Sequence, residues 1–104
     1  MILNSTETEH AKIDAVSGAA ATVVTGVPGK RIVVVFYVLS MDAAGEYNFQ
    51  SDATALGGAM DLSADTPSGG SSSFGVLATA AGEDLKLLAT QAANGHLTYI
   101  LVDG

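Results

Sequence analysis

The chain has no cysteine and no tryptophan in 104 residues, and it holds only two prolines and two histidines. Without thiols there can be no disulfide staple, no cysteine nucleophile and no cysteine-ligated zinc or iron–sulfur centre. Positive charge is nearly as scarce. Four Lys and Arg stand against eleven Asp and Glu, a formal net charge of −7, so the surface repels phosphate backbones and anionic membranes. Neither nucleic acid nor a membrane is expected as a partner. Lys30 and Arg31 are adjacent but isolated, and a basic footprint needs a cluster; they read as the polar start of the strand that follows. No apolar run approaches the ~20 residues of a membrane-spanning helix. The first residues, Met1-Ile2-Leu3-Asn4-Ser5-Thr6-Glu7, lack the positive region and apolar core of a secretion signal, which leads us to expect synthesis in the cytoplasm.

What is present is a rhythm of short apolar or alternating runs punctuated by glycine. The longest, Ile32-Val33-Val34-Val35-Phe36-Tyr37-Val38-Leu39, is dense in β-branched residues that resist a helix and suit a pleated strand. Strict alternation puts Ile32, Val34, Phe36 and Val38 on one face and Val33, Val35, Tyr37 and Leu39 on the other. A sheet in a small sandwich buries one face on its core, so the second apolar face calls for another element or another copy of the chain. Val33, Val35, Tyr37 and Leu39 are therefore the expected self-association surface. Composition agrees: 48% of residues are apolar and 14% charged, a surface poor in charge that favours assembly.

At this length a single core needs no covalent staple. Residues 1–8, polar after Ile2 and Leu3, read as an arm ordered only if something holds it, with residues 9–104 as one domain. From His10 the pattern alternates, with His10, Lys12 and Asp14 facing one way and Ala11, Ile13 and Ala15 the other. Residues 21–25 form a second strand. Val27-Pro28-Gly29-Lys30 is a turn, because proline presets φ at its second position and glycine accepts φ > 0 at its third. The long strand covers residues 31–41. Further strands are expected at 46–50, with Tyr47 and Phe49 on one face in the core, at 53–56, 59–62, 74–78, 84–90 and 96–102. Asp42-Ala43-Ala44-Gly45, Gly57-Gly58, Ala80-Ala81-Gly82-Glu83 and Ala93-Asn94-Gly95 are read as turns or breaks, and residues 63–73 as the longest loop. A helix competes over residues 15–25 and 84–93, where alanine and leucine are frequent; Gly18, Val23 and Val24 weaken the first, and the alternation of Leu85, Leu87 and Ala89 favours strand in the second. Eight or nine closely spaced strands predict an all-β antiparallel sandwich, jelly-roll-like.

Chemistry finds little purchase. His10 and His96 are the only candidates for a neutral-pH base or a metal-binding imidazole, and no serine sits in a Gly-x-Ser-x-Gly elbow. Asp61-Leu62-Ser63-Ala64-Asp65 brings two carboxylates near Thr66 but lacks the ligand density and glycine position of a calcium loop. Ser68-Gly69-Gly70-Ser71-Ser72-Ser73 is glycine-rich without the lysine of a phosphate-binding loop. Asp42, Glu46 and Asp52 form no recognisable acid/base pair. No catalytic residue, metal or cofactor is expected.

Two segments, Thr79-Ala80-Ala81-Gly82-Glu83-Asp84-Leu85-Lys86-Leu87 and Asn94-Gly95-His96-Leu97-Thr98-Tyr99-Ile100, with the earlier Val27-Pro28-Gly29-Lys30-Arg31-Ile32, resemble small β-sandwich virion proteins of tailed bacteriophages. The resemblance implies a non-enzymatic decoration, or cement, protein: a homotrimer made in the host cytoplasm, bound to the major capsid protein on the outside of the head and stabilising it. A tail-fibre or spike receptor-binding module is the alternative. Ile2 and Leu3, the only strong apolar residues before Ala11, are then the expected contact of the arm with a neighbouring copy or the capsid.

Overall fold

The computed structural model describes residues 8–72 and 74–104. Among these the chain forms ten strands: β1 (Glu9–Ala15), β2 (Ala20–Val24), β3 (Lys30–Met41), β4 (Gly45–Ser51), β5 (Thr54–Ala55), β6 (Met60–Leu62), β7 (Ser68–Ser71), β8 (Leu77–Ala78), β9 (Leu85–Ala89) and β10 (Ala93–Asp103). Sheet A runs β1-β10-β3-β7 with β8 also on β3, and sheet B runs β2-β9-β4-β5 with β6 also on β4. All pairings are antiparallel. The pairs β1 with β10, β2 with β9, β3 with β7 and β8, and β4 with β5 and β6 trace one long antiparallel ribbon. Wrapped on itself, the ribbon places alternate pairs in opposite sheets, which is the winding of a jelly roll. The expected all-β sandwich is the observed one.

Local chemistry accounts for the turns. Gly29 has φ of +77° and the Lys30 amide donates to the Val27 carbonyl at 3.0 Å, the turn that Pro28-Gly29 dictates. Gly82, with φ of +80°, closes the corresponding turn through a bond from the Glu83 amide to the Ala80 carbonyl at 3.2 Å. Both segments in which a helix competes are strands where they are regular.

Two expectations are corrected. Asn94-Gly95 lies inside β10, not in a turn; the chain reverses at residues 90–92. Gly95 serves close packing there, because a Cβ on it would come within 2.0 Å of the Val38 carbonyl oxygen on the neighbouring strand. The long loop at residues 63–73 contains β7, a strand of Ser and Gly whose register runs Leu39 against Ser68 through Phe36 against Ser71. Composition conceals such a strand, since it is held by backbone pairing to β3 and not by side chains of high β-propensity.

The core between the sheets gathers Ile13 from β1, Ile32, Val34, Tyr37, Leu39 and Met41 from β3, Tyr47 and Phe49 from β4, Leu85 and Leu87 from β9 and Leu97 from β10. At its centre Tyr37, Tyr47 and Phe49 meet edge to face, with Tyr37 and Phe49 centroids 4.9 Å apart, the arrangement that aromatic quadrupoles favour. The buried phenols are satisfied. Tyr37 and Tyr47 hydroxyls lie 3.2 Å apart, and the Tyr47 hydroxyl is 2.8 Å from Ser68 Oγ, so a short polar chain ties sheet A to sheet B and to β7. At one end of the sandwich Ser51 Oγ donates to Glu83 and accepts from the Ala80 amide, while Asp84 accepts from the Gly26 amide at 2.6 Å.

Burial, then the hydrogen bond and the phenol of Tyr47, push the Tyr37 pKa above its ordinary value near 10. The folded chain therefore holds this proton more tightly than the unfolded chain, and the stability so contributed is full below about pH 10 and lost as pH rises past it. The urea midpoint should accordingly fall above about pH 10, and fall less steeply in Tyr37→Phe. Parallel slopes in the two proteins would show that Tyr37 does not carry the effect.

Candidate attachment surface

Position on the strands decides which side chains face solvent. Along β3 the alternation breaks once. Thr98 pairs with Phe36 and Tyr99 with Val34, leaving Val35 as the extra residue of a bulge. Below the bulge Ile32 and Val34 face the core, and above it Tyr37, Leu39 and Met41 do. A bulge inserts one residue and so reverses the facing of everything beyond it.

The expected self-association face is corrected by this geometry. Tyr37 and Leu39 are core residues of the single chain, 8% and 1% exposed. Val35 is buried at the bulge, outside the core cluster, and Val33 alone of the four is half-buried on the outer side. Ile2 and Leu3 lie outside the described residues.

An outward apolar band does exist, built from other positions. Val33, Phe36 and Val38 on β3 stand opposite Ile100, Thr98 and His96 on β10, and none of the three belongs to the core cluster. Val102 extends the band past Ile100. On the next strand His10 lies opposite Thr98 and Lys12 opposite His96. Both histidines thus share the outer face of sheet A, on adjacent strands. His10 Nδ1 is 3.0 Å from Thr98 Oγ1. The His96 ring lies 5.7 Å from that of Phe36, tilted by 39°. Lys12 lies 3.8 Å from Asp14 on its own strand, an exposed pair of small energetic weight. The outer face of sheet B differs: Thr22, Lys86, Asn48, Gln50 and Glu46 dominate it, with Leu88 the large apolar exception.

Between β3 and β7 the band opens into a shallow groove of about 370 Å³ with Phe36, Val38, Pro67 and His96 around it and Gly69 and Gly70 along it. Past Ser71, which lines the groove, the β7–β8 connection presents Phe74, 95% exposed. Bonds from Ser72 to Val35 and from Val76 to Val34, at 2.9 and 2.7 Å, hold the two sides of this connection to β3. The Gly75 amide reaches the Ser72 carbonyl at 3.1 Å and the Phe74 amide reaches Ser72 Oγ at 3.2 Å. Sequence reasoning placed Phe74 in a strand and so missed it. The signal available was a lone aromatic set between serines and a glycine.

The remaining polar features are structural in arrangement. Glu46 and Asp61 stand directly opposite each other on β4 and β6, a like-charge pair that costs stability. The Asp65 backbone amide donates to the Met41 carbonyl at 2.8 Å. Among the described residues no group of three or more His, Asp or Glu side chains is placed to hold a metal. Lys30, bonded to Asp103, holds the Asp103 carboxyl below its ordinary pKa, and burial followed by the nearby Glu9 carboxylate raises that of Tyr99. No helix among the described residues is long and apolar enough to cross a membrane.

The reversal at Val35 has a direct test. Leu39→Ala should cost about 2–5 kcal/mol, whereas Val38→Ser, its outward neighbour, should cost less than about 1 kcal/mol, both from urea unfolding. The opposite ranking would place the bulge elsewhere. No protein-family model, curated protein or solved structure matches the chain.

Proposed function

We propose that this chain is a non-enzymatic structural protein that attaches to a larger assembly through the outer face of sheet A, and that the assembly is the head of a tailed phage. In this reading it is a decoration protein, bound as an oligomer, a trimer by the resemblance, to the major capsid protein on the outside of the virion. The observation that carries it is the band Val33, Phe36, Val38, Ile100 and Val102, apolar residues at outward positions of the two longest strands. Burying one such side chain fully contributes roughly 1.5–3 kcal/mol before the costs of association. Several copies held together multiply modest contacts through effective concentration, which suits a protein that clamps subunit junctions. The jelly-roll winding is compatible with this role without specifying it. The groove beside Phe36 and His96 favours a second reading, a receptor-binding module of a tail fibre or spike, in which a ligand occupies that groove.

Heads produced without the chain and reconstituted with purified protein test both readings. Cryo-electron microscopy should show density at capsid junctions, and Phe36→Asp should lower occupancy at least tenfold while unfolding like the wild type. Density restricted to the tail would select the receptor-binding reading. Absence from the whole particle would remove both.

A further inference from the structure

Phe74 is the most exposed large apolar side chain of the described chain, at 95% against 65% for Val16 and 36% for Phe36. Its backbone is tethered on both sides to β3, and Gly75 takes a φ of +95° that side-chain-bearing residues rarely adopt. The ring is thus presented on a braced turn, not carried on a free tail. The connection that carries it leaves β7 at Ser71, one of the residues lining the groove of about 370 Å³ between β3 and β7. One chain therefore displays an aromatic knob and an apolar recess, and its own knob does not fill its own recess.

We infer that Phe74 of one copy seats in the β3–β7 groove of a second copy. The inference rests on the reading of this chain as an assembling protein. Charge favours the site: copies that each carry a formal charge of −7 repel least where they meet away from acidic residues. The groove lining includes no Asp, Glu, Lys or Arg, and neither does the run from Ser72 to Leu77. Knob and groove are different surfaces, so a copy that receives Phe74 either returns its own, giving a two-fold pair, or passes it on around a closed ring.

Two variants separate knob from groove. Phe74→Ser keeps the groove and loses the knob; Val38→Glu keeps the knob and places a carboxylate in the groove. Sedimentation velocity at tens of micromolar should show the wild type as a dimer or trimer and each variant alone as a monomer, with self-affinity at least tenfold weaker. An equimolar mixture of the two should restore a one-to-one complex, because one intact knob then faces one intact groove. Ser71→Trp, which fills the groove from an exposed edge position, replaces Val38→Glu if that variant fails to fold. A monomeric wild type, variants that associate like the wild type, or a mixture that does not pair would each overturn the inference. Heads decorated by a monomeric wild type would overturn it while leaving capsid attachment standing, and an oligomer that ignores heads would do the reverse.

Discussion

One inserted residue, Val35, governs how this sandwich presents itself. The twelve residues of β3 belong to the centre of sheet A and contribute to the core at both ends. The bulge lies between those ends, and bulges bend the strand and increase its twist. It also falls where the outer partner of β3 changes: β7 pairs above it, from Phe36 to Leu39, and β8 below it, from Val33 to Val34. The connection between those short strands crosses at Val35 and carries Phe74. The bulge thus sets which residues fill the core, where the sheet edge is divided and where the most exposed aromatic stands.

Beyond apolar burial, the two sheets are joined by polar contacts that fix their relative position. The hydroxyls of Tyr37 and Tyr47 meet across the core, and the Tyr47 hydroxyl also meets Ser68 Oγ on β7. A buried phenol without a partner would cost stability, so the chain of three hydroxyls admits few alternative packings. Thr79 acts similarly inside sheet A. It is fully buried, and its side chain accepts the Ile32 amide while its own amide donates to the Ile32 carbonyl. These residues hold the thin β7–β8 edge in place where hydrophobic side chains are few.

The architecture was legible from the sequence because turn chemistry and alternation act locally. Pro28-Gly29 and Gly82 declare their turns through φ alone, and Tyr47 and Phe49 declare a face through spacing alone. The outward surface was not legible for an equally physical reason. In a run apolar at eight consecutive positions, alternation assigns two faces, but it carries no mark of where the phase reverses. The mark is on the partner strand, in the pairing of Thr98 and Tyr99, and pairing is a long-range property. Asn94-Gly95 was misleading in the same way. The dipeptide favours a tight turn locally, but Gly95 is required by the approach of the Val38 carbonyl from a strand more than fifty residues away in sequence. Phe74 escaped because β7 consists of serine and glycine, which hide a strand and with it the turn that follows.

An apolar outer face is an aggregation liability that open sheet edges would compound, and here every edge of the described sheets is blunted. On β1 the exposed side chains are Glu9, His10, Lys12 and Asp14, charged or polar groups of the kind that discourage strand addition. On β2 the register breaks by a bulge between Thr22 and Val24. The other two edges are divided into the short strands β5 and β6, and β7 and β8. Backbone pairing with another chain is therefore disfavoured on all sides, while the band on β3 and β10 stays open at the middle of its sheet. The proposed attachment therefore uses side chains at the middle of a sheet and not backbone groups at an edge, a contact that does not extend strand by strand.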